Sequence, residues 1–350
     1  MGIYIARRIL QALVMVLLLS IIMFALVNLA PGGPLSSYGQ SRHIAPEKVK
    51  ILKHQLGLDK PLHCQYIYWL IGNNWSINSS IKNVDWLCIP ETKGTRLGIL
   101  RGDFGFSFWT RQPVLKEIGA RLPNTIYLMV STLLVAICIA IPVGILSAVK
   151  QYSFFDIAAT TFSFAGQAIP EFWLGLILII VFYAWLKNPL NGGPLLPSGG
   201  ISATEAGFSL GDRLAHLILP VSAGALGWIA WYSRFMRTSM LDVIHQDYLR
   251  AARAKGLPER LVLGRHALRN ALIPLITLFA LDLPYIFSGS VFIETLFSWP
   301  GMGRLYYQSA LQRDYPVLMA VLIIGAGFII LSNLLADILY ATLDPRIRYE

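Results

Sequence analysis

Few side chains in this sequence are spaced to do chemistry. Gly207-Phe208-Ser209-Leu210-Gly211 spells the G-x-S-x-G of a nucleophile elbow, but that turn needs a strand before it and a helix after it in an α/β sheet. Here it lies in a short polar stretch between apolar runs and reads as a chance match. The six histidines (His43, His54, His63, His216, His245, His266) form no H-E-x-x-H and no close ligand pair, so no metal site is expected. No G-x-x-x-x-G-K-[ST] is present, so the chain has no phosphate cradle of its own. What remains is a pair of carboxylates inside apolar runs, Glu171 and Asp282, and a basic segment bent at a glycine, Leu241–Asn270. A carboxylate within a membrane is costly and turns toward the bundle interior or a watery cavity. Glu171 and Asp282 therefore either line a pathway for a cationic group or accept a helix-packing hydrogen bond, and the second reading weighs more.

The elements that position these residues are set by composition. The chain has 350 residues, 55% hydrophobic and 14% charged, against roughly 45–50% and about 25% in soluble domains. A water-facing exterior is not supported, and an integral membrane protein is expected. Runs of about 20 apolar residues cross a hydrocarbon core. Six qualify: Ile9–Ala30, Thr125–Val149, Ile157–Trp185 with Glu171, Ala215–Ser233 with only His216, Ala271–Leu296 with Asp282 and Glu294, and Val317–Ala341 with Asp337. The first is longer than the h-region of a signal peptide and lacks an A-x-A site, so it is expected to stay as a helix.

Orientation follows from the short loops. Segment 234–269 carries eight Lys/Arg against three acids, while 187–214 and 297–316 carry two basic residues each. Segment 31–123 carries twelve, but so long a loop is exported regardless of charge. Both termini are expected in the cytoplasm. The net charge of +10 is then explained by a basic inner face against anionic headgroups, and nothing suggests a nucleic-acid partner. The expected divisions are a first span at 1–30, an extracytoplasmic segment at 31–123, a five-helix core at 124–343 and a tail at 344–350.

Cys138 is expected to be a small core residue. Cys64 and Cys88 both fall in the external segment, an oxidising setting in many bacteria, and whether they pair stays open. Within that segment Pro46–Leu56 has helical spacing. Residues 73–100 look like extra length, and 31–123 is read as a cap or docking surface, with a purely structural plug as the competing reading. Arg101-Gly102-Asp103 reads as a turn, Asn333 and Asp337 as local caps, and Trp173, Trp185, Trp228, Trp231 and Trp299 as packing groups.

In Leu241–Asn270, Asp247 suits an N-cap and Tyr248 to Lys255 suit a helix. Gly256 stands where a left-handed residue ends it, and Pro258 and Glu259 suit the start of a second short helix. Ala251, Ala252 and Ala254 leave room for another backbone to approach. A basic amphipathic helix lying on headgroups is the competing reading.

The stretch Asp247-Tyr248-x-Arg250-Ala251-Ala252-Arg253-Ala254-Lys255-Gly256 resembles the cytoplasmic EAA-x3-G loop of ABC-importer permeases. More narrowly the chain is similar to the dipeptide/oligopeptide/nickel permease family, first-subunit (B) type. Tyr4–Gln11, Leu29–Gly32, Leu56–Pro61, Gly102–Ser107, Arg121-Leu122-Pro123-Asn124-Thr125, Ile169–Gly175, Glu294-Thr295-x2-Ser298-Trp299-Pro300-Gly301 and Asp344-Pro345-Arg346 carry the rest of the likeness, in order, over nearly the whole chain. The loop departs in having Arg250 for the usual Glu and His266–Arg269 for the usual Ile-x-Leu-Pro ending.

The resemblance implies a type I ABC-importer permease: all-α, with six transmembrane helices and an extracytoplasmic segment after the first. It implies a second related permease, two cytoplasmic ATPases that bind ATP and Mg, and an extracytoplasmic binding protein delivering short peptides. Cofactors in this chain itself are none. Asp247, Arg250, Ala251, Ala252, Lys255 and Gly256 would then belong to the helix seated on an ATPase. Readings from other classes are an ion-driven secondary transporter, for which no internal repeat is seen, an importer of nickel or oligosaccharide, and a membrane enzyme, for which no catalytic constellation is present.

Overall fold

The computed structural model describes residues 2–29, 53–54, 58–74, 88, 96–189, 192–202 and 209–343, with side chains described for 6–29 and as far as Ala336. All of the expected helix Pro46–Leu56 but Lys53 and His54, which are helical, lies outside the described residues, as do most of 73–100, the tail 344–350 and the side chain of Asp337. In chain order the α-helices are α1 (Gly2–Leu29), α2 (Leu62–Ile71), α3 (Val114–Val149), α4 (Phe154–Ala168), α5 (Glu171–Ile179), α6 (Leu210–Ile244), α7 (Asp247–Ala254), α8 (Glu259–Leu261), α9 (Leu268–Ser288), α10 (Val291–Leu296), α11 (Met302–Leu311) and α12 (Tyr315–Leu343). Two π-helical stretches, Ile180–Trp185 and Val262–Ala267, continue α5 and join α8 to α9. The described residues hold no sheet, only isolated bridges pairing Phe106 with Pro113 and Lys187 with Pro194.

Among the described residues five helices are each long and apolar enough to cross a membrane, and α4 with α5, bent by 98° at the break between them, makes a sixth if the pair is one span. The expected third span is therefore not one rod. Pro170 has no N–H to donate and drives the residue before it out of the helical region; Ile169 accordingly adopts φ −80°, ψ 121°. Pro123, Pro142, Pro220, Pro274 and Pro284 lie inside helices that continue through them, as neighbouring helices in a membrane permit.

The chain divides into two compact units, one of residues 121–305 with 328 onward, the other of 2–120 with 306–327. In the larger unit, Ala136, Ala140 and Ala148 of α3 pack with Tyr232, Met236 and Met240 of α6, Leu249 of α7, and Ala271 and Leu275 of α9. Small residues let backbones approach where lipid offers no hydrophobic drive: a Cβ at Gly144 would stand 2.6 Å from the Ser233 carbonyl oxygen. A second cluster gathers Leu128, Leu217, Leu219, Ile293, Phe297 and Trp299. Asp156, third in α4, is buried and takes Arg237 of α6 in a two-bond fork of 2.6 and 2.8 Å. Cys138 faces outward on α3 rather than into the core.

In the smaller unit, Phe24 and Val27 of α1 pack with Tyr66 and Trp69 of α2 and Met319 of α12. The Ser20 and Tyr66 hydroxyls meet at 2.8 Å. Cys64 and Cys88 are joined by a disulfide beside Tyr68. His63 is near both sulfurs, but two bonded sulfurs are not thiolate ligands. Buried Asp314 accepts from the Ser107 hydroxyl at 2.5 Å and the Phe108 amide at 3.0 Å, fixing the Gly102–Ser107 landmark to the start of α12. Gly102 is left-handed after the turn Ile99–Arg101, as the turn expectation required.

Candidate functional site

The glycine-bent segment begins with α7. Its N-cap is Gln246, not Asp247, and no side chain caps it; Asp247 is the first helical residue, where its charge still complements the helix dipole. Leu249 is fully buried and Ala252 packs on the same core cluster, so this face holds α7 to the larger unit. Asp247, Arg250, Ala251, Lys255 and Gly256 are exposed and Ala252 is half-buried. The exposed side is thus small and basic, the shape that admits a close-packed partner.

The helix ends in a Schellman arrangement. The Gly256 amide donates to Arg253 at 2.9 Å and the Leu257 amide to Ala252 at 3.4 Å, with Gly256 at φ +81°. A Cβ at Gly256 would meet nothing within 4 Å, so glycine is there for its backbone angle and not for space. Across the bend Arg253 is forked onto Glu259 at 3.0–3.3 Å, which raises the arginine's pKa above its ordinary value. Asn270 Nδ2 donates to the Tyr248 hydroxyl at 2.7 Å. The expected second short helix is not separate. Glu259 opens a helix that runs through the π-helical turn into α9 and on to Ser288, because Val262–Ala267 bond five residues apart and never break. The loop is therefore mounted directly on two spans, α6 before it and α9 after it.

The two intramembrane carboxylates differ. Asp282 in α9 is half-buried and accepts a short hydrogen bond from the Tyr232 hydroxyl of α6; Phe279 lies edge-on to Tyr232, with centroids 4.7 Å apart. Glu171 is exposed at the start of α5, just past the bend, and accepts from the Ser290 hydroxyl at 3.3 Å. The structure brings Asp282 to α6 and Glu171 to the α9–α10 break, with no contact between the two acids among the described residues.

A third carboxylate was not singled out as a site by sequence reasoning. Glu294 is fully buried and accepts from Thr125 Oγ1 at 2.8 Å and the Arg304 amide at 2.9 Å. Thr125 Oγ1 in turn accepts from the Met302 amide at 2.7 Å. The Trp299 indole donates to the Asn124 carbonyl, and the Asn124 side chain donates to the Pro300 carbonyl, both at 2.9 Å. The segments 121–125 and 294–301, recognised separately in sequence, are thus one clamp. Their separation of about 170 residues left no local signal of the pairing. Ser209, the chance nucleophile, caps α6 by accepting from the Asp212 amide; Gly207 and Phe208 lie outside the described residues.

Comparisons with known proteins align with this architecture. Residues 140–349 match the family described as binding-protein-dependent transport system inner membrane component, and residues 1–129 the family described as its membrane component's N-terminal part. The chain is 41% identical to the oligopeptide transport system permease protein AppB of Bacillus subtilis (strain 168), over 100% of both chains. It is 35% identical to the dipeptide transport system permease protein DppB of Escherichia coli (strain K12), over 95% of this chain and 94% of that one. It is 35% identical to a di/tripeptide permease, DppB of Pseudomonas aeruginosa (strain UCBPP-PA14), over 99% of each. Among solved structures, the inward-facing MetNI methionine ABC transporter matches with a TM-score of 0.50 and 17% identity, over 66% of this chain and 97% of that one. That likeness speaks to the fold.

Proposed function

From the premise that this chain belongs to the family of inner membrane components of binding-protein-dependent transport systems, we propose how it works as a permease subunit of a peptide ABC importer. It is a multi-pass membrane protein that acts together with other ABC-transporter subunits. The finer assembly is our reading: a second related permease, two cytoplasmic ATPases holding ATP and Mg, and an extracytoplasmic binding protein that delivers di- and oligopeptides. Both termini face the cytoplasm in this reading.

The observation that carries the mechanism is the mounting of α7. Its buried Leu249 and the fork from Arg253 to Glu259 tie the helix to the larger unit, while Ala251, Lys255 and Gly256 remain exposed for an ATPase. A displacement imposed on this rigid knob passes into α6 and α9, the two elements joined through it. Such packed elements shift between discrete arrangements, and the proposed outcome is alternating access. Glu171, exposed at the break in the third span, is the candidate pathway residue for a peptide's ammonium group. Asp282 is a packing acceptor for Tyr232 and carries less of that role.

The test is affinity purification of the tagged chain from its host in mild detergent, with mass spectrometry of what co-elutes. A second six-span protein together with P-loop ATPases is the expected result. A chain that elutes alone, even after cross-linking, would sink the assembly and favour an ion-driven carrier.

A further inference from the structure

Two breaks in the chain meet at one place in the larger unit. Pro170 separates α4 from α5 at the 98° bend, and Gly289, at φ +70°, ends α9 before Ser290 caps α10. The Ser290 hydroxyl donates to Glu171 at 3.3 Å while accepting from the Ile293 amide. Close packing fixes the meeting point. A Cβ at Gly289 would collide with the Glu294 carboxylate, and one at Gly175 of α5 with the Leu296 side chain of α10. One turn earlier on each helix, Phe172 and Phe292 lie side by side, with ring centroids 6.2 Å apart. They are 46% and 63% exposed, so a carboxylate, a hydroxyl and an open pair of rings share one face.

The setting of that face limits what can occupy it. Apolar residues flank Pro170 on both sides over Ile157–Trp185, which places the break within the span. Non-helical backbone at membrane depth does not face lipid; it is buried in protein or lines a water-filled cavity. Pro170 and Glu171 are exposed, not buried in this chain, and a water-filled passage fits them. Glu171 meets no cation among the described residues, and its hydroxyl donor is neutral. A complementary solute brings a positive charge to the carboxylate, beside ring faces that also attract cations, and an apolar group to the rings themselves. The α-carbon of a peptide's first residue carries both.

We propose that Phe172 and Phe292 form a subsite for the side chain of a translocating peptide's first residue, whose ammonium rests on Glu171. The subsite rests on the reading of Glu171 as a pathway residue, and the experiment separates the two.

The experiment measures uptake, by the whole importer in cells, of two radiolabelled tripeptides that begin with phenylalanine or glycine and are otherwise alanine. Wild type, Phe172→Ala, Phe292→Ala and Glu171→Gln are compared. The ratio of the two uptakes within one strain cancels the amount of assembled importer, and its change from wild type cancels the preference of the unaltered binding protein. The expected ratio of phenylalanine to glycine peptide falls about fivefold in either phenylalanine variant, the loss of one aromatic contact. Glu171→Gln is expected to lower both peptides alike. A ratio unchanged in both phenylalanine variants overturns the subsite, and leaves Glu171 on the pathway if Glu171→Gln still loses both peptides. Wild-type uptake of both peptides by Glu171→Gln removes the ammonium contact and the pathway reading with it. Loss of the second permease from the complex purified with either phenylalanine variant also overturns the subsite, by placing that face against protein.

Discussion

At the scale of single residues, Glu294 shows what a buried acid does when it is not on a pathway. Its two oxygens collect a hydroxyl and a backbone amide from two distant segments, and a Cβ at Gly301 would stand 2.5 Å from the carboxylate. Removing an acceptor from a buried donor costs about 1–3 kcal/mol. Glu294→Ala, which orphans Thr125 and the Arg304 amide, is expected to lower the thermal midpoint of the purified complex clearly. Gly301→Ala should do the same by displacing the carboxylate. A midpoint within a degree of wild type in both would remove the clamp's structural role. Asp282 calls for a different pair. Asn keeps an oxygen for the Tyr232 hydroxyl and Leu does not, so Asp282→Asn is expected to retain most peptide uptake and Asp282→Leu to lose it. Equal loss in both would mean that the charge matters and would return Asp282 to the pathway. The sequence marked Asp282 and Glu294 as ionisable groups in apolar runs, but their partners lie 50 and 169 positions away. A partner that distant is set by packing, and no local spacing encodes it.

At the scale of elements, the α7 bend was legible because its cause is local. Gly256 has to be left-handed for the Schellman bonds to close, and a small basic run followed by Gly-Leu-Pro announces that. The N-cap fell one residue away, at Gln246 in place of Asp247, since helix boundaries drift by a residue where no side chain caps them. What lay beyond local rules was the continuation of Glu259 into α9, which depends on a π-helical turn with no sequence signature. Because space around Gly256 is open, the backbone angle alone decides its substitutions. A left-handed angle costs an ordinary residue about 1–2 kcal/mol, and asparagine tolerates it better. Gly256→Val is therefore expected to abolish uptake with normal membrane insertion, while Gly256→Asn keeps a substantial part. Identical uptake in the two variants would mean that the bend is not what couples. The Asp156–Arg237 pair belongs to the same scale, because it joins α4 to α6 one helix before the bend. Breaking a buried pair costs about 3–5 kcal/mol. Asp156→Asn and Arg237→Gln should each lower assembled complex in membranes, read by quantitative blotting, and the exchange Asp156→Arg with Arg237→Asp should recover part of it.

At the scale of the molecule, length and hydropathy announced the spans, and charge asymmetry implied which way they run. The third span was the exception. Its apolar residues are continuous, but Pro170 turns the chain through 98°, so composition counted a crossing that geometry divides between two helices. Orientation can be tested with single cysteines, and the chain's own thiols make the background low. Cys64 and Cys88 are bonded to each other, and Cys138 is replaced by serine. Tyr152, in the turn between α3 and α4, and Trp109, in the segment before α3, are both strongly exposed and stand at opposite ends of the second span. With the N-terminus inside, Trp109→Cys in whole cells is expected to react with a membrane-impermeant maleimide, and Tyr152→Cys only after permeabilisation. The reverse pattern would put α7 on the outside, where no ATP-driven subunit can reach it. Labelling of both sites in intact cells would instead mean that α3 does not cross, and the count of six spans would fail with it.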